Sequence, residues 1–343
     1  MFYIAPVIFI SFGCGVLTEK NDESNIEEVL EFFYSPGRQT KISAARRYNF
    51  FSAESKNQID YNTYKMGRAN GTVDGTSTFV NLLRLKDEQD IKYAIVSITE
   101  QHDGLKNVYT DTWVLEKGKW RLIRLEKDRA IVTRTLKEHK FVEAINKSRE
   151  WIKKDPFSTD AYDSLAFGLS SMRNPSPTNK SDLGDIVDKC LAINPEDTAC
   201  LRLAVSESKG IKEKGIYLKR LEGSLDYSVS VYNVAKDIKD PKQVLDFLKD
   251  KGSAGDLDVL RLTALCNLED WNEFNRFYNE KGQDIRINMD KRDTAFSSDV
   301  GGVIGMCLCL ANKKPEARKW FDYIVNRDPS NDRVKELNQL LSK

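Results

Sequence analysis

Residues 140–156 read KFVEAINKSREWIKKDP. Phe141, Ala144, Ser148 and Trp151 recur at steps of three and four, which lines them along one face of a helix, and Asp155-Pro156 ends it. Proline has no N–H to continue the helical ladder and pushes the preceding residue out of the helical region, so the chain must turn there. The same stop returns as INP at Pro195 and RDP at Pro329. Directly after Pro156, Tyr162, Leu165, Ala166 and Leu169 begin another one-sided helix. A helix that is apolar on one face needs a partner, and a string of them broken at recurrent stops buries those faces by stacking.

These residues and their spacing resemble the tetratricopeptide repeat, a 34-residue helical hairpin whose second helix opens on an aromatic, nests through small residues and closes on proline. Trp151 departs from the pattern, standing where the family carries a small residue. Pro156 and Pro195 are 39 apart, one period plus five, and the polar insert RNPSPTNK can hold the excess; Pro195 and Pro329 are 134 apart, close to four periods. Between them LRLTALCNLEDWNEFNRFY keeps Leu268, Trp271 and Phe274 in place, and the final hairpin carries Gly305, Ala317 and Phe321. Val334, Leu337 and Leu341 share one side of a last helix near 331–342, as a capping helix requires. The resemblance implies about six hairpins over residues 128–343, an all-α tetratricopeptide-like solenoid with a concave wall lined by the first helix of each hairpin. On the register set by Pro156 and Pro195, Asp160, Asp163, Phe167 and Ser170 stand on the inner wall of one first helix, and Arg202, Ser206 and Lys209 on the next. They form the expected groove for a protein or peptide partner. Facing acids and bases suit a mixed-charge peptide, with a contribution that weakens in salt. Phe167 is either exposed to that partner or covered by the insert.

Upstream the pattern differs. Ser24 and Glu27 form an S-x-x-E helix start, and Ile26, Val29, Leu30 and Phe33 follow at helical spacing until Pro36-Gly37. Further helical stretches cover 40–51, with Ala44, Tyr48 and Phe51 on one face, and 53–66, before the loop RANGTVDGTS. From residue 78 the period drops to two in FVNLLRL, IKYAIVSIT, VYTDTWVL and WRLIRL, with linkers short enough to make neighbours antiparallel. Helices followed by a meander give an α+β domain over 24–127, joined near 126–130 to the helical repeats as a separable folding unit. Its order, and the closing hairpin WVLEKGKWRLIRL, resemble the nuclear transport factor two-like, cone-shaped domains found in many bacterial lipoproteins. That resemblance implies a curved sheet over helices, able to enclose a pocket. Tyr48, Tyr61, Tyr64, Tyr93, Tyr109 and Asp111 are candidates to line it. An isomerase of that fold uses a tyrosine and carboxylates, but no residue-by-residue catalytic match carries over.

The first 13 residues, MFYIAPVIFISFG, are almost wholly apolar, yet a helix needs about 20 such residues to cross a bilayer. The run has the length of a signal-peptide core and ends on a small residue before Cys14. SFGC resembles the lipobox of bacterial lipoproteins, which implies lipidation of Cys14 and anchoring in the cell envelope. The bulky Phe12 and the absence of Lys or Arg before the run depart from that pattern. Residues 14–23 read as a polar tether.

Lys and Arg number 53 against 52 Asp and Glu, a net charge of +1, which lacks the basic excess of a nucleic-acid-binding protein. The two histidines, His102 and His139, fall in turns, and no nucleophile, phosphate-loop, dinucleotide or zinc-protease motif is present. No catalytic residue, metal site or cofactor is expected. Cys307 and Cys309 stand about 200° apart around a helix and read as core-packing residues that cannot share a metal. Cys190 and Cys200 close one hairpin and open the next, which leaves a disulfide open to them in an exported protein. The chain thus reads as a membrane-tethered adaptor; the alternative is small-molecule binding or isomerase- or hydratase-like chemistry in the cone-shaped domain.

Overall fold

The alternating segments form an antiparallel meander in the order β1 (Ser77–Glu88), β2 (Ile91–His102), β3 (Leu105–Glu116) and β4 (Lys119–Ile123). The computed structural model describes residues 22–34, 44–69, 77–88, 90–172, 177–253 and 255–342; Cys14, the apolar leader and most of the tether lie outside them. Four helices precede the sheet: α1 (Ile26–Tyr34), α2 (Ala44–Asn49), α3 (Ala53–Gln58) and α4 (Tyr61–Ala69). The start of α1 is set one residue later than the S-x-x-E spacing suggests. The Asn25 side chain accepts the Glu27 amide at 3.0 Å, while the Ser24 hydroxyl turns back to Asp22 at 2.6 Å. The stretch read as one helix over 53–66 is two, because Asp60 accepts the amides of Asn62 and Thr63 and opens a new helix.

The middle of the sheet, chiefly β2, is buried on both faces, which explains why IKYAIVSIT is apolar almost throughout. On one face Ala94, Val96, Ile98, Trp113 and Leu122 pack with Val29, Leu30, Phe33 and Phe50. The other face presents Tyr93, Ile95, Val114 and Ile123, which pack with Val132, Trp151, Phe157, Ala161 and Ile193 from the helices that follow. Trp151 therefore breaks the small-residue rule for a physical reason: it fills the second face of the sheet.

Thirteen helices follow the sheet among the described residues. Those of the first unit are α5 (Glu126–Lys137), α6 (Phe141–Lys154), α7 (Thr159–Ser170), α8 (Pro177–Ile193), α9 (Thr198–Glu207) and α10 (Ile211–Leu221). Successive helices pair, and α7 also touches both α5 and α9. Gly168 brings α7 close to α6, since a Cβ there would sit 3.0 Å from Ile145 Cγ1. The compact units divide at Asp226, not near 126–130, because the apolar face of the sheet is completed by these helices.

The second unit, Tyr227–Lys343, contains α11 (Tyr227–Asp237), α12 (Pro241–Leu248), α13 (Gly255–Asn267), α14 (Trp271–Met289), α15 (Thr294–Leu310), α16 (Lys314–Arg327) and α17 (Asp332–Leu341). Alternate helices α11, α13, α15 and α17 touch in series around a core that includes Phe274, Ile285, Ile304 and Trp320. Gly305 lets α17 approach α15, for a Cβ there would meet Leu337 Cδ2 at 2.5 Å. Cys307 is bonded to Cys266, whose Cα lies 5.7 Å away, which corrects its reading as a packing residue alone; Cys309 stays free and half-buried.

Candidate functional site

β4 is short. Its pairing with β3 ends at Thr112–Ile123, so residues 105–111 of β3 lack a strand neighbour on that side. An unpaired edge needs cover, and part of it is covered by other elements. The Lys106 amide donates to Gly223 O at 2.8 Å, and the Val108 amide donates to Thr198 Oγ1 at 3.0 Å. Between this cover and the end of β4 lies a cavity of about 610 Å³, lined by Tyr109–Thr112 on the sheet side and by α5–α7 and α9 on the other.

The Pro195 turn docks onto the sheet beside this cavity. Asn194 Nδ2 donates to Ser97 Oγ and Thr110 Oγ1, at 3.1 and 3.2 Å. Asp197 caps α9 by accepting the amides of Ala199 and Cys200, and its other oxygen takes the Thr110 and Thr159 hydroxyls at 2.8 and 2.7 Å. Burial still raises the Asp197 carboxyl to about 6. The Cys190–Cys200 disulfide, with a Cα separation of 5.4 Å, straddles the same turn.

Asp111 is also buried, but it is neutralised: the Tyr34 hydroxyl donates to it, and Arg124 sits 3.1 Å from its carboxylate. Asp111 in turn holds the Arg124 guanidinium above its ordinary pKa. Asp155, the residue before the first proline stop, has no cationic partner among the described residues. Its Oδ1 accepts the Phe157 amide at 3.2 Å, and burial raises its carboxyl to about 7.

Of the groove positions expected from sequence, Asp160, Asp163 and Arg202 come together in the cavity. Arg202 reaches Asp163 at 2.7 Å and Asp226 at 3.6 Å, and Arg129 reaches Asp160 at 3.4 Å. Phe167 is 54 % exposed on α7. Ser170, Ser206 and Lys209 do not line the cavity; they make local bonds to Phe167 O, Glu207 and Glu213. The tyrosine set divides: Tyr109 and Asp111 face the cavity, Tyr48, Tyr61 and Tyr64 form an aromatic cluster, and Tyr93 packs on Phe157. Sequence reasoning missed Thr112, Asp155 and Asp197. Asp197 could have been found as a helix cap after a proline; nothing in the local pattern marks Asp155 as facing a sheet.

No protein-family model matches the chain, and no curated protein does. Among solved structures, a thermophilic tetratricopeptide-repeat protein of Thermus thermophilus aligns with 64 % of this chain and 99 % of its own, at 11 % identity and a TM-score of 0.27.

Proposed function

We propose that this chain is a non-enzymatic interaction protein of the bacterial envelope, anchored through Cys14, whose tetratricopeptide-like helices hold a partner polypeptide. The observation that carries this reading is Phe167: a large apolar side chain exposed on the stacked helix α7, which also supplies Asp163 to the ion pairs with Arg202. The sheet domain supports it as well. Its interior on the α1 side is filled by Phe33, Phe50 and Trp113, and its buried Asp111 is already neutralised, so among the described residues that interior offers an isomerase-type reaction no free carboxylate. His102 is paired with exposed Asp103, and His139 sits at positive φ in a turn.

Phe167→Ala is expected to reduce partner capture from envelope extracts roughly tenfold or more while leaving the melting temperature nearly unchanged, because the ring is exposed. Arg202→Gln is the matching charge variant; Arg202→Glu would set a third acid beside Asp163 and Asp226 and confuse binding with stability. Unchanged capture by both variants would remove this surface from consideration.

The anchor has separate support. Four of the six cysteines are joined in two disulfides, as suits an oxidising compartment, and Cys309 is half-buried, which leaves Cys14 for another role. Cys14→Ser is expected to move the protein from the membrane to the soluble fraction, with loss of a lipid-sized mass from its N-terminal peptide. A parent protein carrying no lipid contradicts the anchor.

A further inference from the structure

The cavity beside β3 holds more negative charge than the protein itself neutralises. Eight carboxylates line it against three guanidinium groups. Each guanidinium is already engaged: Arg124 with Asp111, Arg129 with Asp160, and Arg202 with Asp163 and Asp226. Asp155 is 6 % exposed and, among the described residues, no Lys, Arg or His pairs with it. A second observation comes from the sheet. Thr112 is 1 % exposed and lines the same cavity; its hydroxyl stands close enough to Asp155 to hold that carboxyl down somewhat, yet Oγ1 makes no well-aligned hydrogen bond. Buried polar groups are almost always satisfied, and Asp155 has the Phe157 amide but no cation, so a charge-uncompensated carboxylate beside a hydroxyl with acceptor capacity to spare on a cavity wall suits a ligand that engages both.

We infer that the cavity receives a positively charged ammonium or guanidinium group, which pairs with Asp155 and donates a hydrogen bond to Thr112 Oγ1. An anion is disfavoured, since the available guanidinium groups are committed and the lining is acidic. A bare metal ion is disfavoured too, because among the described residues no group of three His, Cys, Asp or Glu side chains converges as ligands. The cavity volume of about 610 Å³ is within the range that accommodates a small organic molecule or one long side chain. The cation has two sources: a free polyamine, or a Lys or Arg side chain of the polypeptide invoked above. The second source rests on the interaction reading.

Titration calorimetry of the full chain at low salt, with spermidine and with an acetylated, amidated Gly-Arg-Gly peptide as probes, separates them. At least one probe should bind with a Kd below about 1 mM, and Asp155→Asn should weaken it roughly tenfold or more, with a smaller loss for Thr112→Val. Exposed Asp246→Asn is the control and should change nothing. Binding of spermidine alone assigns a free ligand, and tighter binding of the peptide assigns a partner side chain. Phe167 does not line the cavity, so Phe167→Ala should leave probe binding intact; retained capture by that variant would count against the interaction reading and not against the cation site. If neither probe binds, or Asp155→Asn binds as the parent does, the cation site does not exist.

Discussion

Replacing Cys266 and Cys307 together by Ala is expected to lower the stability of the Tyr227–Lys343 unit by about 4 kcal/mol. The two residues are 41 apart, and the bond joins α13 to α15, with α14 and its buried Phe274 enclosed in the loop. Closing a loop of that length removes freedom from the unfolded chain. By the same reasoning the ten-residue separation of Cys190 and Cys200 contributes less, about 3 kcal/mol, to the first unit. Both sulfurs of the longer bridge are buried in the core of the second unit, so truncation to Ala adds a small packing loss in the same direction. Hydrogen exchange followed by mass spectrometry gives the local reading. Amides of α13 and α15 that exchange through opening of this unit should do so hundreds of times faster in the double variant, while those of β2 should not change. Equal protection in parent and variant would mean that the bridge constrains nothing that packing does not already hold.

The sequence made some of this legible and hid the rest for identifiable reasons. The runs read as strands from residue 78 onward coincide with all four strands, although IKYAIVSIT is apolar almost throughout and alternates little. They could not show what covers each face. Tyr93 and Ile95 were readable as one side of β2, but not as the seat of Trp151 and Phe157, since that requires knowing how far the helices fold back. The proline stops were likewise visible as ends of helices; α6 ends at Lys154, α8 at Ile193 and α16 at Arg327, each just before its proline. That Asn194 and Asp197 around the second stop would bond to Ser97 and Thr110 depends on tertiary placement alone. The helical step between Cys307 and Cys309 excludes a shared partner, yet says nothing of Cys266. Of the positions that spacing assigned to a groove, Asp160, Asp163 and Arg202 line one cavity, the first two from α7 and the third from α9. Asp155 stayed hidden because an aspartate before proline reads as a solvated turn.

Asp155→Asn is expected to stabilise the protein, and by an amount that depends on pH. An aspartate ordinarily titrates near 3.8; here burial raises it to about 7 against the opposing pull of the nearby Thr112 hydroxyl and the Phe157 amide, with smaller repulsive contributions from Asp111 and Asp160. Because its pKa is raised on folding, the folded state holds the proton more tightly than the unfolded one. The group therefore costs nothing well below pH 3.8, its cost grows as pH climbs from there to about 7, and the cost is complete above that. The rise from 3.8 to about 7 corresponds to about 4 kcal/mol. Asparagine keeps the oxygen that accepts the Phe157 amide and has no charge to desolvate. The variant should accordingly exceed the parent by about 4 kcal/mol near pH 8 and by only about 1 kcal/mol near pH 4.5, measured by urea unfolding at both. Asp197, raised to about 6, slopes in the same direction but is present in both proteins, so the difference isolates Asp155. If the variant is no more stable than the parent near pH 8, this carboxylate is better solvated than its burial implies. A bound ammonium or guanidinium group would return that stability by neutralising the charge. The same substitution should then raise the stability of the free protein and abolish cation binding, two effects of opposite sign that a residue serving only the fold cannot produce.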